Sequence, residues 1–294
     1  MNSQEQIKSS VVFPQIEIGN DLAQIKDFVQ AIEDMDFDCL HIPDMVIGAN
    51  PERPGGIKGR YTYQSAHHEV FVLMGYLAGL TTTLEFATGI LVLPQRPTVL
   101  VAKQAAEVDV LSGGRLRLGV GVGETDLEMQ ALGFDFSNRG KRIEEQVYVL
   151  RELWTKPLVT FQGTYHTIED MGINPMPIQQ PIPIWFGGEA DVVIRRMARL
   201  GDGWALNRTY PEEAQALVDR LIHFLDLEGR DPKSFGIDVR VNLSKHPRNT
   251  WATLAANWRK LGVTDLGVNT MGSGFKTLQE RLEAIRQFKE ETGI

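Results

Sequence analysis

The chain has 294 residues, 43% hydrophobic and 23% charged, a balance that excludes a disordered polymer. Its net charge is −8 with no basic block, which argues against wrapping nucleic acid or lying on an anionic membrane. Cys39 is the one cysteine, no apolar run approaches the roughly 18 residues of a membrane span, and the opening residues 1–15 lack a secretory apolar core, so a cytoplasmic chain without disulfides is expected.

Short β-branched runs alternate with helical patterns. Residues 11–13 read as a strand, followed by Leu22, Ile25, Val29, Ile32 and Met35 at helical spacing, with Asn20 or Asp21 as the cap. Residues 39–42 form the second strand, and a Gly/Pro-rich polar stretch, 47–67, follows it. A third apolar run spans 84–93; Pro97 opens the next helix at its first position and Gly113 closes it. Strand four is 116–122, and Ile143, Val147, Leu150 and Trp154 make a helical stripe. Residues 157–183 hold a hairpin pattern, 158–161 and 165–168, then a Pro-rich run. Strands at 182–186, 204–206, 237–243 and 266–268 complete the series. The helices between and after them begin near Ala190 and at Pro211, run from Trp251 to a stop at Gly262, and close with Leu278, Leu282, Ile285 and Phe288. The strands look buried on both faces, as parallel sheets require. Eight strand–helix units predict α/β architecture: a single (β/α)₈ TIM barrel over residues 1–294, with extra loops after strand two and before strand five. A doubly wound sheet is the alternative.

No metal site is expected. The six histidines never pair at ligand spacing, and His68 with Glu69 lacks a second His four residues on. Gly119, Gly121 and Gly123 follow one another at the end of strand four, but a dinucleotide fingerprint would need glycine where Glu124 stands. Two readings remain for these glycines: a crowded barrel interior that admits no side chain, or a strand end where a flat ring or phosphate meets the backbone. Gly187 and Gly188, directly before a helix N-terminus, make an anion-binding arrangement. The two strand ends together suggest one phosphate-bearing ligand. Gln15 at the end of strand one is a candidate to point over the ligand, Tyr61 and His67 beside the second loop are candidates to close over a substrate, Asn207 and Arg208 at the end of strand six are candidates to face substrate or cofactor, and Arg96 is a candidate for phosphate or substrate.

The run Asp109-Val-Leu-Ser-Gly-Gly-Arg-Leu-Arg-Leu-Gly-Val-Gly-Val-Gly123 resembles the luciferase-like monooxygenase superfamily, in its F-420-dependent oxidoreductase branch. So do Thr88-Gly-Ile-Leu-Val-Leu-Pro-Gln-Arg96, Ala131-Leu-Gly133 followed by Arg139-Gly-Lys-Arg142, Pro183-Ile-Trp-Phe-Gly-Gly188 and Arg199-Leu-Gly-Asp-Gly-Trp204, in the right order. The resemblance implies a barrel that binds the 5-deazaflavin F-420, or FMN, at the C-terminal strand ends. It implies Asp44 near the ring, a non-prolyl cis bulge at Gly89 and Ile90 behind it, and Val122, Gly123 and Glu124 along it. Gly187, Gly188 and the N–H groups near Ala190 and Asp191 would hold the phosphate. Two positions depart from the pattern: Met45 replaces a His that serves many relatives as proton donor, and Leu127 replaces a polar residue.

The function implied is hydride transfer between F-420 and a small organic substrate. The alternative is an oxygen-using FMN monooxygenase fed by a separate flavin reductase; a non-catalytic flavin-binding protein is a third class. With Met45 unable to carry a proton, Glu124 is expected to transfer it, from a pocket where desolvation and Asp44 raise its pKa, while Asp44 orients ring or substrate. A homodimer through helices flanking strands two to four is implied by the resemblance.

Overall fold

The computed structural model describes residues 7–57, 59 and 61–294; the polar start and Lys58 and Arg60 of the long loop lie outside the described residues. Among the described residues eleven strands occur in order: β1 (Lys8–Val12), β2 (Cys39–Ile42), β3 (Glu85–Thr88), β4 (Leu91–Val92), β5 (Leu116–Gly121), β6 (Val159–Gln162), β7 (Thr167–Met171), β8 (Ile184–Gly187), β9 (Gly203–Leu206), β10 (Gly236–Asn242) and β11 (Asp265–Asn269). β1, β2, β3, β5, β8, β9, β10 and β11 pair in parallel as a closed ring: β1 meets β11 at Lys8↔Asp265, and β3 meets β5 at Phe86↔Leu116. Closure between first and last strands removes the doubly wound alternative and makes a (β/α)₈ barrel. β6 and β7 form the antiparallel hairpin expected before strand five, at Phe161↔Ile168.

The helices begin where side chains can satisfy free N–H groups. The Asp21 carboxylate accepts from Ala23 and Gln24 N–H at the start of Leu22–Asp34, whose Ile25, Phe28, Val29 and Ile32 face the barrel. Thr277 and Glu280 form a capping box for Leu278–Thr292. Pro97 precedes Thr98–Ser112 as its cap rather than its first residue, and Gly113 ends it at φ 74°. Pro14 cannot continue the ladder, so β1 stops at Val12, and Gln15 opens a short helical turn, Gln15–Ile18, instead of ending the strand.

The barrel interior is partly polar. Arg117 on β5 pairs with Asp265 on β11 at 2.8 Å and stacks over the Trp185 ring at 4.2 Å. A Cβ at Gly203 or Gly236 would enter that ring, so these two glycines admit Trp185. The one cysteine, Cys39, is buried and unpaired, and burial pushes its thiol up to about 12. No helix among the described residues is long and apolar enough to cross a membrane.

Candidate cofactor and active site

The C-terminal ends of neighbouring strands collect most of the candidate residues at one mouth. Asp44 follows β2, Gly89 and Ile90 lie between β3 and β4, Val122 to Glu124 follow β5, Gly187 ends β8 and Asn207 follows β9.

The third strand, a single apolar run in the sequence, is broken there. The bond joining Gly89 and Ile90 is cis. Pairing with β5 resumes at Leu91↔Val120 and Val92↔Gly121. Three glycines border Ile90: a Cβ at Gly121 would stand 2.5 Å from Ile90 Cδ1, one at Gly187 would lie 3.3 Å from its Cγ2, and one at Gly119 would run into Thr88 O. The Thr88 hydroxyl donates to Gly119 O at 2.6 Å. The crowded-interior reading of the strand-four glycines therefore holds for Gly119 and Gly121, which the bulge itself needs, while Gly123 turns the chain out of the barrel. Gly123 has φ 76°, and a Cβ there would meet Val92 Cγ1 at 2.6 Å.

Asp44 is held from two sides. Arg96 donates to its Oδ1 at 2.7 Å and Val92 N–H to its Oδ2 at 3.2 Å. The carboxylate is fully buried, the Arg96 side chain 10% exposed. Arg96 also reaches Glu69 at 2.8 Å. Burial raises the Asp44 pKa, and the Arg96 charge opposes the rise. Arg96 thus serves Asp44, and the sequence reading of it as a phosphate or substrate contact is replaced by an internal ion pair.

Glu124 does not occupy the expected desolvated pocket. The chain turns out of the barrel at Gly123, and Glu124 is exposed. One helical turn further, Glu128 is half-buried on Asp126–Ala131; burial chiefly, and the charge of Asp44, hold its carboxyl above the usual range. Sequence reasoning missed Glu128, which stands in the first turn of that helix, past the N-cap Thr125. It also missed Glu69, which caps Val70–Ala78 through Val72 N–H while pairing with Arg96.

Gln15 is fully buried with both ends of its amide in use: Nε2 donates to Pro43 O at 2.6 Å and Oε1 accepts from His68 N–H at 2.9 Å. It braces the second loop against β2 and has no surface facing a substrate. Tyr61 and His67 pack edge to face at 4.7 Å. Burial lowers the His67 pKa, against the opposing charge of Asp44. Asn207 is exposed.

At the phosphate candidate, Ala190 caps Asp191–Leu200 with no side-chain hydrogen bond, which leaves the first N–H groups of the helix open. Gly188 has φ 111°, and its carbonyl accepts from Trp204 Nε1 at 2.9 Å. Two carboxylates stand nearby, Glu189 and Asp191, each neutralised by an arginine: Arg208 and Arg220 respectively. A glycine cradle and an uncapped helix start fit a phosphate-bearing ligand. No cluster of metal-ligating groups occurs among the described residues.

A bulged third strand, glycine-lined strand ends and an open helix start after β8 thus meet at one mouth of the barrel. The chain belongs to the luciferase-like monooxygenase family, whose model matches residues 4–292. It is 36% identical over 227 residues to an uncharacterised protein of Mycobacterium tuberculosis, covering 76% of each chain. It is 30% identical over 191 residues to the pyrimidine monooxygenase RutA of Acinetobacter baylyi, covering 61% of this chain and 50% of that one. It is 35% identical over 135 residues to the F420-dependent glucose-6-phosphate dehydrogenase of Amycolatopsis mediterranei, covering 45% and 40%. Among solved structures, the coenzyme F420-dependent tetrahydromethanopterin reductase of Methanopyrus kandleri superposes with a TM-score of 0.77 at 14% identity, over 97% of this chain and 98% of that one, a likeness of fold.

Proposed function

We propose that this protein is an oxidoreductase that moves a hydride between the deazaflavin F-420 and a small organic substrate. The observation that carries the reading is the seating of Ile90 beside Gly119, Gly121 and Gly187, at the same mouth as the uncapped start of Asp191–Leu200. When bound, the coenzyme supplies two-electron chemistry at its ring. The chain's residues supply the rest. Gly89 and Ile90, with Val122 and Gly123, back the ring; Gly187, Gly188 and the N–H groups of Ala190 and Asp191 hold the phosphate. Asp44, fixed by Arg96 and Val92, orients ring or substrate. Proton transfer belongs to the carboxylates after β5. Glu124 is exposed to water, and Glu128, half-buried with its carboxyl held above the usual range chiefly by burial, is the better placed donor. Tyr61, His67 and Asn207 stand at the entrance for substrate.

A second reading, an FMN-dependent monooxygenase using oxygen and served by a separate reductase, is favoured by the likeness to RutA. A titration of the protein with F-420 and with FMN, followed by absorbance and fluorescence, tests the choice: F-420 binding supports the first reading, and oxygen uptake with reduced FMN supports the second. A cytoplasmic location is supported by the buried, unpaired Cys39. A homodimer is supported by Val72 and Tyr76 on Val70–Ala78 and by Val99, Leu100 and Leu111 on Thr98–Ser112, apolar side chains exposed on two packed helices.

A further inference from the structure

The β6–β7 hairpin contributes no residue to the candidate site, yet a chain of hydrogen bonds links it to the turn that carries Arg96. Glu145, on the helix Arg139–Thr155, accepts from Thr164 N–H at 2.8 Å and Tyr165 N–H at 2.7 Å, and its Oε1 lies 2.8 Å from His166 Nδ1. A Cβ at Gly163 would stand 2.5 Å from that carboxylate, so the hairpin tip can wrap it closely only with glycine there. His166 Nε2 lies 2.6 Å from Thr98 Oγ1. Gln146, fully buried, donates from one Nε2 to Thr98 Oγ1 at 2.9 Å, Leu93 O at 3.1 Å and Arg96 O at 3.3 Å. Leu93 and Arg96 begin and end the turn that delivers the Arg96 guanidinium to Asp44. A neutral His166 carrying its proton on Nδ1 satisfies every link: Nδ1–H donates to Glu145, Nε2 accepts from the Thr98 hydroxyl, and the Thr98 oxygen accepts from Gln146.

A carboxylate, an imidazole and a hydroxyl in this order have the layout of a hydrolytic triad. Thr98 is only 3% exposed and its oxygen already accepts from Gln146, so no substrate can approach it. The other end of the chain carries the consequence. Resting on the placement of Asp44 in the cofactor mouth, we propose that His166 is a positioning residue for Asp44, acting through Thr98 and Gln146 on the turn that carries Arg96. The inserted hairpin is then a brace for the active-site carboxylate. When the brace loosens, Arg96 holds Asp44 less closely, and a buried carboxylate that loses its cation binds its proton more tightly.

The test uses protein without cofactor, labelled with ¹³C at the aspartate carboxyls, and follows the Asp44 resonance with pH; Asp44→Asn assigns it. Thr98→Val keeps the side-chain volume and removes the hydroxyl, Thr98→Ser restores it, and His166→Leu breaks the link one step earlier. Thr160→Ala is the control, since Thr160 Oγ1 accepts only within the hairpin, from Asp170 N–H at 3.2 Å. The expected result is an upward move of the Asp44 midpoint in Thr98→Val and His166→Leu, return to the parent value in Thr98→Ser, and no move in Thr160→Ala. If Thr98→Val does not fold, His166→Leu against Thr160→Ala decides. An Asp44 midpoint unchanged in folded His166→Leu overturns the proposal. Because cofactor is absent throughout, a failure of the F-420 reading leaves this result standing, and the reverse also holds.

Discussion

Replacing Arg96 by methionine isolates the electrostatics of the site. The methionine fills much of the stem volume but leaves Asp44, fully buried, without its cation. At 2.7 Å and an effective dielectric near 20, the lost attraction is about 6 kcal/mol. Removing one partner of a buried pair costs about 3–5 kcal/mol, because the remaining charge is partly relieved by relaxation and proton uptake. The sign of the pH dependence follows from Asp44. Burial already raises its folded pKa against the pull of Arg96, and the substitution raises it further. The native state then holds the Asp44 proton more tightly than the unfolded chain, so this contribution to stability is present at low pH and is lost as pH rises through the folded pKa. Glu69, the other partner of Arg96, is 37% exposed and adds little. Urea unfolding of Arg96→Met against the parent is expected to show a loss of about 1 kcal/mol near pH 4, from hydrogen bonds and packing alone, rising to about 3–5 kcal/mol near pH 8. Asp44→Asn in the same chain should recover much of the loss at the higher pH. An equal loss at both pH values would refute the reasoning.

Four further outcomes are expected. Gly188→Asp should weaken binding of a phosphate-bearing cofactor by about 5- to 150-fold, or about 1–3 kcal/mol, in a fluorescence titration, with Gly188→Ala as the control for backbone strain at φ 111°. Gly121→Ala should cost about 1–3 kcal/mol in denaturant melts by crowding Ile90, and Ile90→Ala should relieve it in a double-mutant cycle. With a working substrate, Glu128→Gln should lower kcat by about 10²-fold or more and Glu124→Gln by much less; the opposite order would return the proton-transfer role to Glu124. Leu100→Glu with Val72→Glu should reduce the mass seen by light scattering from twice the 32.9 kDa chain to one, while an unchanged mass would place any interface elsewhere.

The barrel was legible because its strands are buried on both faces and so read as continuous apolar runs; Cys39–Ile42 matches residue for residue. Breaks in pairing were harder to see. Between Phe86 and Leu93 the one polar side chain is Thr88, so periodicity cannot show that β3 ends at Thr88 and β4 begins at Leu91; the family motif did. The candidate site divided along another line. Backbone features, glycines and a helix start, can be read from local sequence. Side-chain partnerships such as Arg96 with Asp44, 52 residues apart, or His166 with Thr98, 68 apart, depend on the closed fold. Glu124 was misjudged for a related reason: burial depends on which way Gly123 turns the chain, and a glycine in the sequence does not give its φ.

The central claim is that the mouth framed by Gly89, Gly123 and Gly188 holds a phosphate-bearing flavin-type coenzyme and prefers F-420. A fluorescence titration of the purified protein with F-420 and with FMN tests it directly. The account predicts saturable F-420 binding, weaker binding of FMN, and loss of the F-420 signal in Gly188→Asp; binding of neither cofactor, or F-420 binding indifferent to Gly188→Asp, would contradict it.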